Sequence, residues 1–217
     1  MINYLLKYPN IYRFYQKLIR KQHDEYNFIN FIIKETAATK DIRMLDLCSG
    51  DSYILERSHK YIKNYLGIDN NPFYLKKCKK KWKQFNFINL DLNNLNNIKI
   101  YKKFDPNFIF MMGALHHFDD YTVSKITACV KSFFPKSIFL SVDPVRHNNS
   151  FINNFMINLD RGKFIRNINQ YNKLIKDFDF YITDDFYKMS FKYIFHYRNL
   201  NLEKCYKKWK KNIIHNS

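Results

Sequence analysis

Short apolar runs alternate with longer amphipathic stretches along most of this chain, and that alternation sets its expected elements. Residues 10 to 36 place Ile11, Phe14, Tyr15, Leu18 and Ile19, then Tyr26, Ile29, Phe31, Ile32 and Ile33, at helical spacing, which predicts two helices or one bent helix. Met44, Leu45 and Leu47 then make a short buried strand, and Tyr65-Leu66-Gly67-Ile68 makes a second that delivers Asp69 at its carboxyl end. Pro72 to Gln84 reads as a helix with Asn71 as its N-cap, since proline fits the first helical position and asparagine accepts from free amides. Further strands are expected at Phe87 to Leu92, Phe108 to Gly113 and Ile138 to Val142, with a helix at Thr122 to Phe134 that turns Val123, Ile126 and Val130 inward. Two short helices follow within 149 to 176, then two aromatic-rich strands within 180 to 200, and Leu202 to Ile214 closes as a basic amphipathic helix.

Regular succession of strand and helix implies an α/β fold, a parallel sheet with helices on both faces. A length of 217 residues suits one domain, with an N-terminal helical cap over 1–40, a central half over 41–145 and a remainder over 146–217. A 46% hydrophobic and 18% aromatic content excludes general disorder, and no uncharged run approaches the twenty residues of a spanning helix. The first residues are interrupted by Lys7, Pro9 and Arg13, so they lack the order of a secretory signal. Cys48, Cys78, Cys129 and Cys205 form no CxxC pair, which argues against a zinc site or a disulfide framework and points to a reducing cytoplasm; Cys78 and Cys205, among lysines, are expected to be partly exposed. Net charge is +18, which raises nucleic acid as a partner, yet the excess of Lys comes with abundant Asn, Ile, Tyr and Phe, as an AT-rich coding sequence produces without selection.

The segment from Ile42 to Asn71 carries the most chemistry: an apolar strand, a polar turn around Gly50, a helix and a second strand ending in Asp69. This is the opening βαβ unit of a nucleotide-type cofactor site, and an acid at the second strand's end can accept from both hydroxyls of a ribose. It resembles the first two motifs of class I S-adenosylmethionine-dependent methyltransferases, with Asp46 as the first acid and Asp69 as the second. Of three usual glycines only Gly50 is present; Cys48 and Ser52 stand at the other two places, where a Cβ narrows the allowed backbone and crowds the ligand. A second stretch, Phe104 to Asp120 with Gly113-Ala114-Leu115-His116-His117, is similar to the fourth strand and its exit in small-molecule methyltransferases. A third, Ser141-Val142-Asp143-Pro144 followed by Asp160-Arg161-Gly162, Arg166 and Tyr171, looks like a bacterial subgroup of the same class with an Asp-Arg-Gly insertion.

The resemblance implies a Rossmann-like seven-stranded sheet, six strands parallel and one antiparallel. It implies S-adenosylmethionine as cofactor, S-adenosylhomocysteine as product, and O- or N-methylation of a small or medium-sized acceptor. Expected cofactor contacts are Asp46, Cys48, Ser49, Gly50, Asp69, Asn70, Asp91, Leu92 and Gly113, with Asp91 at the adenine amino group. His116 and His117 are candidates for a general base, one facing the transfer site and the other structural, or both shaping the pocket without taking a proton. Arg161 and Arg166 either clamp an anionic group of the acceptor or lock the insertion, and Tyr171 either closes the pocket or packs. No metal is expected. Two rival readings are an RNA methyltransferase using the basic helices Lys76 to Lys83 and Lys204 to Lys211, and a non-catalytic binding or scaffold protein of the same fold.

Overall fold

The computed structural model describes residues 24–93, 98–147, 151–158, 162–186 and 192–215. Seven strands, β1 (Ile42–Leu47), β2 (Ile62–Asp69), β3 (Asn86–Asn89), β4 (Phe108–Met112), β5 (Ile138–Pro144), β6 (Asp179–Thr183) and β7 (Tyr193–Arg198), form one sheet in the order β3-β2-β1-β4-β5-β7-β6. The first five pair in parallel, and β7 runs antiparallel to both β5 and β6, so it is the single reversed strand of the expected arrangement. The described helices are α1 (Glu25–Ala37), α2 (Leu55–Ser58), α3 (Pro72–Lys81), α4 (Ile98–Phe104), α5 (Asp120–Phe133), α6 (Phe151–Asn158), α7 (Ile168–Leu174) and α8 (Leu202–His215).

Alternation along each strand sorts the core into two layers, because successive strand side chains point to opposite faces. Met44, Phe108, Phe110, Leu140 and Phe195 lie on one face with Phe28 and Ile32 of α1, Leu75 of α3 and Trp209 of α8. Leu45, Leu47, Ile109, Met111 and Phe139 lie on the other with Val123, Ile126 and Val130 of α5 and Tyr171 of α7. Helix starts follow the cap chemistry in the sequence. Asn71 accepts from the Phe73 and Tyr74 amides ahead of α3, Asp119 accepts from Thr122 ahead of α5, and Asn167 with Gln170 makes a capping box at α7.

Two expectations are corrected. β3 stops at Asn89 rather than Leu92, because the Asp91 carboxylate accepts from the Asn93 backbone and side-chain amides and bends the chain out of the ladder. Cys78 is buried rather than partly exposed; it shares the inward face of α3 with Leu75, three residues earlier. Of the helical stretch expected over 10–36, residues 10–23 lie outside the described residues.

Candidate functional site at the carboxyl ends of the strands

β1 hands the chain to a turn whose backbone is left-handed at alternate residues, with φ of 61° at Cys48, 52° at Gly50 and 53° at Ser52. The conformation that glycines would adopt is therefore kept by two side-chain-bearing residues, at a cost of roughly 1–2 kcal/mol each. Side-chain contacts hold it. Asp69 closes β2 with Oδ2 accepting from the Gly50 amide at 2.8 Å and Oδ1 accepting from the Asn71 amide at 2.8 Å. The Ser49 amide donates to Ile68 O at 2.8 Å, which ties the turn to the same strand. Beneath it the buried Tyr65 hydroxyl donates to Asp46 and lies 3.1 Å from Ser52 Oγ, while the Cys78 thiol reaches Gly50 O and Ser52 Oγ, each at 3.7 Å.

Burial dominates the electrostatics of this half. It pushes the Asp46 carboxyl up to about 7 against the lowering effect of the Tyr65 hydrogen bond, with the charge of Asp69 adding to the rise. Burial, then the Asp46 charge, hold Tyr65 protonated as a donor. Burial and the charges of Asp69 and Asp46 likewise push the Cys48 thiol up, so it has no thiolate character to act as a nucleophile.

A cleft opens beside the turn. The expected residues Asp46, Cys48, Ser49 and Gly50 line it, and so do Asp51, Tyr53 and Ile54 of the turn, Tyr26 of α1, and Phe110 and Met112 of β4. Tyr53, Ile54, Tyr26, Phe110 and Met112 carry no individual site signal in the sequence, because their approach to the turn depends on tertiary placement. Asp69, Asp91 and Leu92 are not in its lining. Asp91 is exposed, and Leu92 is buried against a separate, small apolar cavity with Tyr101, Ile109 and Val130.

The other half of the site follows β4. Gly113 has φ of 59°, donates to Val142 O at 2.7 Å, and leads into a tight turn over Leu115–His117. His116 is buried, with Nδ1 2.8 Å from Asp143 Oδ1 at the end of β5, and its amide also donates to that oxygen at 3.3 Å. His117 is exposed, its ring centroid 4.3 Å from that of His116. The insertion closes over His116: the Phe164 amide donates to His116 O at 2.9 Å, and Gly162 lies so close that a Cβ there would collide with the His116 ring.

Arg166 holds that closure. Its buried guanidinium donates to Leu115 O, Phe164 O and Phe118 O at 3.3, 3.0 and 2.8 Å and pairs with Asp120 at 2.6 Å. Tyr171 is fully buried with its ring 4.9 Å from that of His196, whose imidazole burial pushes down to about 4, so His196 stays neutral despite the opposing charge of Asp143. Of the two readings open for Arg166 and Tyr171, these contacts lock and pack the insertion. Asp160 and Arg161 lie outside the described residues. Among the described residues no group of three or more His, Cys, Asp or Glu is placed to hold a metal ion, and no helix is long and apolar enough to cross a membrane.

A sheet in this order with one reversed strand, and an aspartate at the end of β2 holding a left-handed turn at the sheet's switch point, is the fold of class I S-adenosylmethionine-dependent methyltransferases. Solved structures bear this out. A putative O-methyltransferase from Nostoc punctiforme matches with a TM-score of 0.59 at 13% identity, over 80% of this chain and 56% of that one. The methyltransferase domain of bacterial CtHen1 matches with a TM-score of 0.58 at 11% identity, over 80% of this chain and 97% of that one. An S-adenosylmethionine-dependent methyltransferase from Clostridium acetobutylicum matches with a TM-score of 0.55 at 13% identity, over 80% and 91% of the two chains. No protein-family model and no curated protein matches the sequence.

Proposed function

We propose that this chain is an S-adenosylmethionine-dependent methyltransferase acting on an oxygen or nitrogen of a small or medium-sized molecule. The observation that carries the reading is the Asp69 carboxylate, fixed over the Gly50 turn at the carboxyl end of β2 beside an acid-lined cleft. Its two oxygens accept one backbone amide each, and a carboxylate has about four lone-pair sites, so acceptance from two ribose hydroxyls is compatible with the turn as it stands. In this reading Asp69 and Asn70 take the ribose, Asp91 and Leu92, outside the cleft lining, take the adenine, and the turn from Cys48 to Gly50 with Gly113 takes the methionine end above Asp46. When bound, the cofactor supplies a methyl group on a sulfonium, already a good leaving group.

The protein's part is then alignment, which contributes roughly 7–11 kcal/mol in favourable cases, and removal of a proton where the acceptor carries one. Asp143 fixes the His116 ring through Nδ1, and in this reading His117, exposed beside it, is the imidazole that takes a proton from a hydroxyl or an ammonium. Arg166 and Tyr171 act through the framework, and Arg161 is the remaining candidate for direct contact with the acceptor. The putative O-methyltransferase among the structural neighbours supports oxygen as the acceptor atom. A second reading, RNA methylation, draws on the exposed Lys76, Lys77, Lys79, Lys80, Lys81 and Lys83 of α3 and its exit; retention on RNA that weakens steeply with salt would favour it.

Calorimetric titration of the wild-type protein with S-adenosylmethionine and S-adenosylhomocysteine tests the reading. Saturable binding of both supports it, and binding of neither contradicts it.

A further inference from the structure

Helix α6 turns an asparagine inward and two phenylalanines outward. Asn153 is fully buried, donating to Val145 O at 3.0 Å and accepting from the Lys192 amide at 2.9 Å, whereas Phe151 and Phe155, one turn apart, are 86% and 51% exposed. Large apolar groups on the outer face of a helix suit an apolar environment outside the protein. Two other helices carry exposed rings near their starts: Phe73 of α3 is 82% exposed and Tyr121 of α5 is 67% exposed. The strands that lead into α3, α5 and α6 are β2, β4 and β5, which run parallel, so all four rings lie toward the carboxyl end of the sheet. That end carries the Gly50 turn and the His116 wall.

Cations accompany these rings. Lys76 and Lys77 are exposed one turn from Phe73, Lys125 Nζ sits 4.1 Å from the Tyr121 ring centroid, and Lys163 is exposed beside Phe164, itself partly exposed on the insertion. The acids next to Tyr121 are engaged within the protein: Asp119 accepts from the Thr122 amide, and Asp120 pairs with Arg166. Around α6, residues 145 to 159 include Arg146 and no Asp or Glu. Whatever its origin, the net charge of +18 draws such a surface toward an anionic one.

The spread of the rings selects the partner. In the sheet order β1 and β4 stand between β2 and β5, three strand spacings or roughly 14 Å, so the rings form separate points and not one patch. A stable protein interface needs a contiguous, closely packed area of about 800 Å² per partner. A bilayer surface takes separated rings one by one at the headgroup boundary, and its anionic headgroups take the lysines. We infer that the carboxyl end of the sheet docks on an anionic lipid bilayer, with Phe73, Tyr121, Phe151 and Phe155 entering the headgroup boundary. The docking goes beyond the methyltransferase reading and does not depend on it; it turns the candidate site toward the lipid.

Co-sedimentation of the full chain with phosphatidylcholine vesicles, with and without an equal part of phosphatidylglycerol, tests the docking. The wild type is expected to sediment with the mixed vesicles, less so with added salt and less with the neutral ones. Phe151→Ser combined with Phe155→Ser should lower the partition by about tenfold or more, and Phe73→Ser by about threefold or more, since each removes a ring that would be buried in lipid. Phe133→Ser removes a ring beneath Lys102 at the far end of α5, toward the opposite end of the sheet, and should leave the partition unchanged. Phe73 stands on a separate helix, so its variant carries the test should the α6 variant fail to fold. A wild type that stays in solution, equal binding to both kinds of vesicle, or an equal loss in Phe133→Ser overturns the inference. So does retention on RNA that the α6 variant abolishes while its vesicle binding stays intact, which would assign the face to nucleic acid.

Discussion

The two halves of the site meet at the carboxyl ends of β1 and β4 and are built in opposite ways. The turn after β1 takes its shape from backbone conformations that its own residues disfavour, held by Asp69 and the Tyr65 hydroxyl from the neighbouring strand, and it leaves an open cleft. The turn after β4 has His116 gripped from β5 and from the insertion, with the Arg166 guanidinium buried among three carbonyls. One half stores strain where a ligand can approach; the other is a locked wall. Strain near the ligand and rigidity behind it suit a reaction that depends on alignment, since a strained turn is tolerable only when the surrounding structure fixes it.

The largest expected effect breaks the lock. Arg166→Met leaves the carbonyls of Leu115, Phe118 and Phe164 without their charged donor, and should lower the unfolding free energy by about 3 kcal/mol or more in urea titrations. A variant as stable as the wild type would show that the insertion is not held in this way, and the contrast between the halves would disappear.

A second effect probes the buried acid under the turn. The folded state keeps the Asp46 proton up to about pH 7, whereas the unfolded chain releases it near the ordinary value of 3.8. Between those values the folded state binds more protons, so this group's contribution to stability falls as pH rises and levels off above about pH 7. Asp46→Asn removes that slope, and its melting temperature should gain on the wild type from about pH 5 to about pH 8. Parallel curves for the two proteins would mean that Asp46 is not held protonated. A cationic ligand favours the ionised carboxylate, so cofactor affinity should rise over the same range in the wild type and stay flat in the variant; the Tyr65, Ser52, Cys48, Cys78 and Asp69 groups around Asp46 are common to both.

How much of this was legible in the sequence follows the same division. The half after β1 is local in the chain: Asp46, Gly50 and Asp69 fall within one βαβ unit, and Asn71-Pro72 announces the next helix, so spacing and cap chemistry suffice to read it. Even there Tyr26 and Tyr53 were hidden, because Tyr26 shows only helical periodicity and its approach to the turn depends on how α1 crosses the sheet. Cys78 looked exposed because lysines flank it, although its spacing from Leu75 placed it on the inward face. The second half rests on long-range contacts. Asp143 showed as part of an Asp-Pro step and not as the partner of His116, and nothing in the sequence around Arg166 indicates that its acceptors lie in the loop after β4. Gly162 was read as part of a motif, whereas its reason is steric, the His116 ring pressed against it.

The smallest expected effect sharpens the other side of the comparison. Cys48→Gly relieves a left-handed side-chain-bearing residue but adds unfolded-state entropy, so it should change stability by no more than about 1 kcal/mol, in the stabilising direction. Ser52→Gly relieves similar backbone strain but loses the contacts of Ser52 Oγ with Tyr65 and Cys78, and should show no gain. Thermal melts of both variants separate strain from side-chain support; equal shifts would show that the hydroxyl supports nothing.

The central claim is that Asp69 and the turn it holds make a cofactor site. Calorimetric titration of S-adenosylmethionine into the wild type and into Asp69→Ala tests it most directly. The account predicts saturable binding by the wild type and at least about tenfold weaker binding by the variant, as loss of hydrogen bonds to a charged acceptor requires. Equal affinity in the two proteins would contradict it.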